Sequence, residues 1–139
     1  MLKLYNLIIQ IFSLTIKAHA LFNNKSREWK SGRKDLFKKL NKFKSNENEI
    51  VWFHCASLGE YEQTRELIKK YKMNFQNDKI LLTFFSPSGL NNYENNTYID
   101  FVSYLPIDTQ ENVKKFLKIV KPKIAIFIKS EFWFNYLNQ

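Results

Sequence analysis

A single carboxylate, Glu60, is the strongest candidate for chemistry in this chain of 139 residues. It directly follows Gly59 in the segment 56–60, and glycine permits a tight turn and the close approach of a ligand. Backbone amides at the start of a helix favour an anion at such a position. A carboxylate placed there can take a proton from an incoming hydroxyl, as a general base does. The alternative is an acidic residue that only stabilises the first turn of a helix.

Three further short segments carry hydroxyl, acidic or aromatic side chains that suit a polar ligand. The Ser-Pro-Ser-Gly turn at 86–89 offers hydroxyls and backbone amides to a sugar or phosphate, although ordinary turns have the same composition. Glu131 and Trp133 follow a run of five apolar residues, and this pair suits carbohydrate unless the Trp belongs to the core. The last segment is Pro-Ile-Asp at 106–108. The turn before Glu60 lacks the spacings of standard nucleotide loops.

Alternating apolar and amphipathic stretches predict the elements that position these four segments. Apolar runs predict strands at 50–55, 79–85, 100–105 and 124–128. Helical spacing predicts helices at 61–72 and 109–120. This alternation implies an α/β fold with a parallel, Rossmann-like sheet. Because ligands of such sheets bind beyond the carboxyl ends of the strands, we expect all four segments at one rim.

The few cysteines and histidines argue against metal chemistry. Cys55 is the only cysteine, which excludes an intramolecular disulfide and a cysteine-based metal cluster. His19 and His54 are far apart in sequence and show no ligand spacing. We therefore expect neither a metal site nor a cofactor, and we expect His54 and Cys55 to face the core of the sheet.

Residues 2–22 are mostly apolar and predict a helix associated with a membrane. The polar exceptions are spaced by three or four residues and form one stripe, which consists of Lys3, Asn6, Gln10, Ser13 and Lys17. Thirteen residues separate the two lysines, too few to cross about 30 Å of hydrocarbon without burying a charge. We favour an amphipathic helix lying in the interface. The alternatives are a single crossing with snorkelling lysines, a cleavable signal peptide, or a helix packed on the protein.

A strongly basic stretch follows this apolar segment. Residues 17–44 contain ten Lys or Arg against Glu28 and Asp35, whereas residues 45–139 contain eleven basic and eleven acidic residues. Juxtamembrane cations favour an anionic lipid surface, and the positive-inside rule predicts the cytoplasmic side. Nucleic acid is the competing partner of a basic run, but no nucleic-acid-binding motif accompanies it. We therefore expect an anionic membrane surface as the partner and no nucleic acid.

Taken together, these segments resemble the 3-deoxy-D-manno-octulosonic acid (Kdo) transferases of lipopolysaccharide synthesis. That family has an apolar anchor, a basic segment with Trp and Gly-Arg, and the motifs His-x-x-Ser-x-Gly-Glu, Thr-x-x-(Ser/Thr)-Pro-x-Gly, Tyr-Leu-Pro-x-Asp and Glu-x-Glu-x-Trp-Pro-Asn. The matching stretches here are 29–33, 54–60, 83–89, 104–108 and 129–135. The resemblance extends along essentially the whole chain, in order.

The resemblance implies a role for each matched position. Glu60 becomes the general base that deprotonates the acceptor hydroxyl. Lys129 stands where the family has the Glu associated with stabilising the transition state, Glu131 keeps the second acidic position, and Phe134 replaces a Pro. The residues that the resemblance places at the substrate are Ser57, Gly59, Ser86, Pro87, Ser88, Gly89, Trp133 and Asn135.

The resemblance also implies a two-domain GT-B glycosyltransferase, of which this chain is the amino-terminal half. We expect a membrane-associated helix at 1–22, a basic juxtamembrane segment at 23–49 and a Rossmann-like acceptor domain at 50–139. The reaction would be inverting transfer of Kdo from CMP-Kdo to a lipid A precursor, lipid IVA, at the cytoplasmic face of the inner membrane. The donor would bind mainly to a carboxyl-terminal domain that this sequence lacks, so an isolated fragment is expected to be inactive. The alternatives are an inactive membrane-bound remnant and an unrelated nucleotide-binding domain.

Overall fold

The computed structural model describes residues 2–44, 48–129 and 131–139. The amino-terminal helices are α1 (Leu2–His19), α2 (Asn24–Gly32) and α3 (Leu36–Phe43). The alternating part that follows consists of β1 (Ile50–Cys55), α4 (Leu58–Asn74), β2 (Lys79–Phe84), α5 (Pro87–Asn91), β3 (Phe101–Tyr104), α6 (Gln110–Val120), β4 (Pro122–Phe127) and α7 (Phe134–Leu137). Residues 45–47 of the predicted basic segment and Ser130 of the fourth rim segment lie outside the described residues, as does Met1.

The four strands form one parallel sheet in the order β3-β2-β1-β4. This confirms the predicted α/β fold and all four predicted strands. The predicted helix at 61–72 begins earlier, at Leu58, because Ser57 has extended backbone and serves as its N-cap. All six residues of β1 are buried, since helices cover both faces of the strand.

Two hydrophobic clusters lie on opposite faces of the sheet. On one face, Trp52 contacts the rings of Phe116, Phe127 and Tyr136, and its indole N–H donates to the Thr83 hydroxyl. The other face is packed by α4 through residues such as Ile68. Because successive side chains of a strand point to opposite faces, β1 contributes to both clusters and fixes the register of the sheet.

Most of the basic stretch is helical, and its residues 24–32 and 36–43 form the helices α2 and α3. Trp29, Leu36 and Leu40 are buried, and the two leucines belong to the same cluster as Trp52. The lysines of the stretch stay on the outside, as expected for side chains that cover apolar surface with their stems. The stretch is therefore an integral part of the fold that carries the positive charge on its surface.

Helix α1 packs on the body through a face of mixed polarity, which includes the buried Ile9, and leaves most of its other apolar side chains exposed. Ser13 is buried, and the side chain of Asn6 accepts a hydrogen bond from Asn135 (2.7 Å). Leu4, Ile11 and Leu14 are more than half exposed. The predicted helix is present. Lys3, Gln10 and Lys17 of the predicted polar stripe are exposed, whereas Asn6 and Ser13 face the body.

Within the described part of the chain, no single helix combines the length and apolarity needed to cross a membrane. The helices Leu2–His19 and Asn24–Gly32 have the necessary length and apolarity only when they are taken together, and the chain bends by 118° between them.

Candidate functional site

Backbone hydrogen bonds bring the predicted rim segments together at the carboxyl ends of the strands. The Ser86 N–H donates to the Ala56 carbonyl (2.9 Å), which joins the segment after β1 to the turn after β2. The Ile128 N–H donates to the His54 carbonyl (2.9 Å), which joins the end of β1 to the segment after β4. The rim is thus a continuous edge in which each loop starts beside its neighbour.

Glu60 lies in the first turn of α4 and is partly buried. Its Oε2 accepts a hydrogen bond from the backbone N–H of Ala56, the residue whose carbonyl accepts the Ser86 N–H. Gly59 is exposed, and a Cβ at that position would meet no atom within 4 Å. Ser57 caps the helix through its backbone only, with no side-chain capping bond. A substrate can therefore approach Glu60 across an open glycine.

The Ser-Pro-Ser-Gly turn opens a short helix beside Glu60. The Ser86 hydroxyl accepts the Ser88 N–H (3.3 Å) and lies 2.9 Å from the Ser88 hydroxyl, while Pro87 begins the helix. Gly89 is required by close packing, since a Cβ there would lie 2.2 Å from the Phe84 ring. A cleft of about 520 Å³ separates this turn from Ile16 of α1 and from Lys25 and Trp29 of α2. This cleft lies between the amino-terminal helices and the rim, and both polar and apolar side chains line it.

Glu131 and Trp133 form a linked pair at the end of β4. The indole N–H of Trp133 donates to Glu131 Oε2 (2.7 Å), and the Trp133 ring packs against Phe85 at 4.8 Å between centroids. Nε2 of the buried His54 lies 3.4 Å from the same Oε2. The His54 ring, and after it the Trp133 N–H, hold the pKa of Glu131 below its usual range, although partial burial opposes them. Glu131 is therefore ionised at neutral pH.

The other two predicted positions of this segment differ in character. Lys129 is exposed and has a left-handed backbone (φ 59°), a conformation that non-glycine residues adopt uncommonly. Asn135 is buried, and its amide donates to the Asp108 carbonyl (2.6 Å) and to Asn6 of α1 (2.7 Å). Its structural contacts are thus inside the protein, and its predicted contact with substrate stays a prediction.

Asp108, at the end of the third rim segment, joins α1 to the start of α7. Its carboxylate accepts the Tyr5 hydroxyl (2.5 Å) and the backbone N–H groups of Asn135 (3.0 Å) and Tyr136 (3.1 Å). Burial raises the pKa of Asp108, while these three hydrogen bonds work in the opposite direction. Asp108 is therefore a buried anchor of the rim, and α1 is bonded to the body rather than attached only by its chain.

Arg33 is the most important rim residue that sequence reasoning left without a role. Its guanidinium carbon lies 3.7 Å from the centroid of Trp29 and 4.6 Å from that of Tyr104. Nε donates to the Leu105 carbonyl (3.0 Å) and Nη2 donates to the Phe85 carbonyl (2.8 Å). Burial lowers the pKa of Arg33 to about 9, which still leaves it charged at neutral pH. Arg33 thus clamps the ends of two strands.

The motif Trp-x-x-Gly-Arg at 29–33 explains how this clamp is built. A Cβ at Gly32 would lie 2.0 Å from the Tyr104 ring, so only glycine lets α2 approach the end of β3 this closely. The Trp and the Arg are one helical turn apart and stack on each other. The motif was visible in the sequence, but its partners come from β2 and β3.

The rim offers an accessible carboxylate, hydroxyls, backbone amides and an aromatic ring, which suit acid–base chemistry on a hydroxylated ligand. Within the described residues, no group of three or more His, Cys, Asp or Glu side chains is arranged to hold a metal ion.

Comparisons with known proteins show the family of the chain. A family model described as 3-deoxy-D-manno-octulosonic acid transferase matches residues 31–139. A 3-deoxy-D-manno-octulosonic acid transferase of Aquifex aeolicus is 34% identical over 84 residues, which are 60% of this chain and 23% of that protein. One of Haemophilus influenzae is 30% identical over 91 residues, 64% of this chain and 21% of that protein. No solved structure matches the chain significantly.

The chain therefore belongs to the Kdo transferase family. A further relative is a bifunctional glycosyltransferase/methyltransferase of Fusobacterium nucleatum, 28% identical over 97 residues, 67% of this chain and 15% of that protein. The chain spans less than a quarter of the length of these curated relatives.

Proposed function

We propose that this chain forms the acceptor side of a glycosyltransferase that transfers Kdo from CMP-Kdo to a lipid A precursor such as lipid IVA. The observation that carries the proposal is Glu60, a carboxylate at an open glycine beside the Ser-Pro-Ser-Gly turn, in a chain of the Kdo transferase family. The donor would bind mainly to a further, carboxyl-terminal domain of a GT-B enzyme.

In this mechanism Glu60 removes the proton from an acceptor hydroxyl as that oxygen attacks the anomeric carbon of Kdo. The new C–O bond forms while the bond from the same carbon to the CMP phosphate breaks, with inversion, and CMP leaves as an anion. The hydrogen bond from Ala56 to Oε2 supports this role, because one carboxylate oxygen can orient the group while the other takes the proton. A general base of this kind contributes about 10²–10⁴-fold to the rate.

A second candidate function is a membrane-bound binding module without activity. It is favoured by Lys129, which replaces an acidic residue that the family resemblance associates with the transition state. Under the first function, the exposed ammonium of Lys129 offsets the negative charge of the donor instead.

The experiment that separates these functions measures Kdo transfer by the complete gene product that contains this chain. We expect labelled Kdo to pass from CMP-Kdo to lipid IVA in mixed micelles. Absence of transfer both in the natural protein and in its Lys129→Glu variant would contradict the enzyme and support the binding module. Transfer that appears only in Lys129→Glu would identify a decayed active site.

We further propose that the apolar face of α1 lies on the cytoplasmic surface of the inner membrane. This face is contiguous and exposed, and Phe22 at its carboxyl end is 88% exposed. The helices α2 and α3 that follow carry exposed cations, which an anionic leaflet would attract. This orientation keeps Asn6 and Ser13 against the body and directs the exposed apolar side chains to lipid.

Acidic substitutions on this face should weaken binding to anionic vesicles. We expect Ile11→Glu and Leu14→Glu each to lower the vesicle partition coefficient about tenfold or more, because each removes a side chain worth about 1.5–3 kcal/mol when buried in an apolar phase. Vesicle flotation measures the effect. The matched control is Leu67→Glu, an exposed leucine of α4, which should bind like the natural chain. Equal losses in all three variants would contradict the proposed orientation.

Point substitutions are preferable to deletion of the whole helix. Removing α1 also removes the Tyr5 hydroxyl from Asp108 and the Asn6 carbonyl from Asn135. A truncated chain would therefore confuse loss of the membrane surface with damage to the rim.

A further inference from the structure

His54, which the proposed reaction does not use, is a fully buried imidazole at the carboxyl end of β1. Nδ1 lies 2.9 Å from the hydroxyl and 3.1 Å from the carbonyl oxygen of Thr83. Nε2 is directed towards Glu131 at 3.4 Å, an ion-pair distance at which it makes no well-formed hydrogen bond. The two ring nitrogens therefore face different elements, one in β2 and one after β4.

The contacts of Thr83 indicate that Nδ1 carries a hydrogen. A carbonyl oxygen only accepts, so a bare Nδ1 would place its lone pair against that of the Thr83 carbonyl at 3.1 Å. The Thr83 hydroxyl already accepts the Trp52 indole N–H (2.8 Å) and has the Phe53 carbonyl within reach of its own hydrogen (3.5 Å). An Nδ1–H donor satisfies both oxygens of Thr83, whereas a bare nitrogen satisfies only the hydroxyl.

The contact on the other side indicates that Nε2 carries a hydrogen as well. Glu131 Oε2 accepts the Trp133 N–H, and the pKa of Glu131 lies below its usual range, so the group in this contact is a carboxylate at neutral pH. A bare Nε2 would place two acceptors together at a fully buried position, which is costly. The Trp52 and Phe127 rings cover other sides of the imidazole, and within the described residues Glu131 is the acidic group at ion-pair distance.

We infer that His54 is a buried imidazolium paired with the Glu131 carboxylate, and that this ion pair positions the fourth rim segment. Glu131 holds Trp133 through the indole N–H, and Trp133 packs on Phe85, the residue before the Ser-Pro-Ser-Gly turn. The charge of the His54 ring thus positions the Glu131 carboxylate and, through it, the Trp133 ring that packs on Phe85. A buried charge of this kind is tolerated because its partner is adjacent and itself hydrogen-bonded.

The ion pair follows from these contacts alone, while its value for catalysis rests on the proposed function. In that reaction a paired Glu131 does not compete with Glu60 for the acceptor proton. His54 is then a positioning residue, because it acts on the rim through Glu131 and Trp133 rather than on the substrate.

Nitrogen-15 NMR of the histidine rings tests the inference on the whole chain, without any activity measurement. The chain has two histidines, so His19→Gln assigns the signals of His54. At neutral pH we expect both ring nitrogens of His54 to have the chemical shifts of protonated nitrogen. A neutral ring, with either Nδ1 or Nε2 bare, would overturn the inference.

Glu131→Gln is the variant that separates the ion pair from simple burial. A glutamine amide can donate to Nε2, so we expect His54 to become neutral there, with one bare nitrogen. A doubly protonated ring in both proteins would also overturn the pairing.

Failure of the His54 inference can be distinguished from failure of the proposed function. The ring signals report the charge of His54 whether or not Kdo is transferred, and loss of transfer in Glu60→Gln leaves the His54 signals unchanged. His54→Asn, which can keep a contact like that of Nδ1 but lacks the Nε2 side, should move the Trp133 indole signal. An unmoved signal in a folded His54→Asn variant would remove His54 from the positioning role.

Discussion

Glu60→Gln in the complete enzyme is expected to lower turnover on the order of 100-fold or more while leaving the KM for the lipid acceptor little changed. Glutamine keeps an oxygen that can accept the Ala56 N–H, so the turn after β1 retains its shape. What the substitution removes is the ability to take a proton. A fall in kcat without a matching rise in KM is the result expected when an interaction is lost only in the transition state.

The matched control for this prediction is Glu62→Gln. Glu62 lies in the same helix, is exposed and pairs with Arg65 on the surface (3.3 Å). It should retain normal turnover, because an exposed pair of this kind contributes little. Near-normal turnover in Glu60→Gln would exclude Glu60 as the base. The initial rate of Kdo transfer, measured at several acceptor concentrations, separates kcat from KM.

The sheet was predictable because its signals are local. The four strands are short apolar runs bounded by turn residues, and all four are present near the predicted positions. Once they are parallel, topology brings their carboxyl ends to one edge, so the four rim segments also followed from the sequence. The start of α4 was less predictable, because capping by backbone at Ser57 leaves no side-chain signature.

The direction of α1 could not be read from its own composition. Its polar stripe is compatible with water or with a polar protein surface. Asn135, 129 residues away, holds Asn6 against the protein, while Lys3 and Gln10 of the same stripe stay exposed. The partners of His54 were equally unpredictable, since Thr83 and Glu131 are distant from it in sequence. Periodicity reports which face of an element is polar, whereas the identity of the opposing group comes from the assembled fold.

Arg33 shows most clearly how tertiary contacts change the meaning of a residue. In sequence it is one of ten cations in a basic stretch and contributes to a predicted membrane surface. In the structure it is half-buried between Trp29, Tyr104 and Phe85, and it bonds to carbonyls 52 and 72 residues away. A count of charges cannot distinguish this arginine from its exposed neighbours.

The second large effect is therefore expected for Arg33→Ala, which should lower the free energy of unfolding by about 3 kcal/mol. The substitution leaves the Phe85 and Leu105 carbonyls without their donors, and a buried unsatisfied group costs about 1–3 kcal/mol. It also removes the cation from the rings of Trp29 and Tyr104. Relief of the burial of a positive charge offsets part of this loss, which is why the sum stays below that of the separate contacts.

Two matched variants identify the source of the effect. Arg27→Ala lies in the same helix at an exposed position and should change stability by less than about 0.5 kcal/mol. Arg33→Lys keeps the charge but lacks the planar fork, so it cannot stack on Trp29 while bonding to both carbonyls, and it should remain clearly destabilised. Urea denaturation followed by tryptophan fluorescence measures all three. If Arg33→Lys has the free energy of unfolding of the natural chain, the positive charge alone holds the rim. If Arg33→Ala loses no more stability than Arg27→Ala, the contacts of Arg33 contribute nothing. An intermediate Arg33→Lys would instead show that the shape of the guanidinium, fitted between three rings, joins α2 to the ends of β2 and β3.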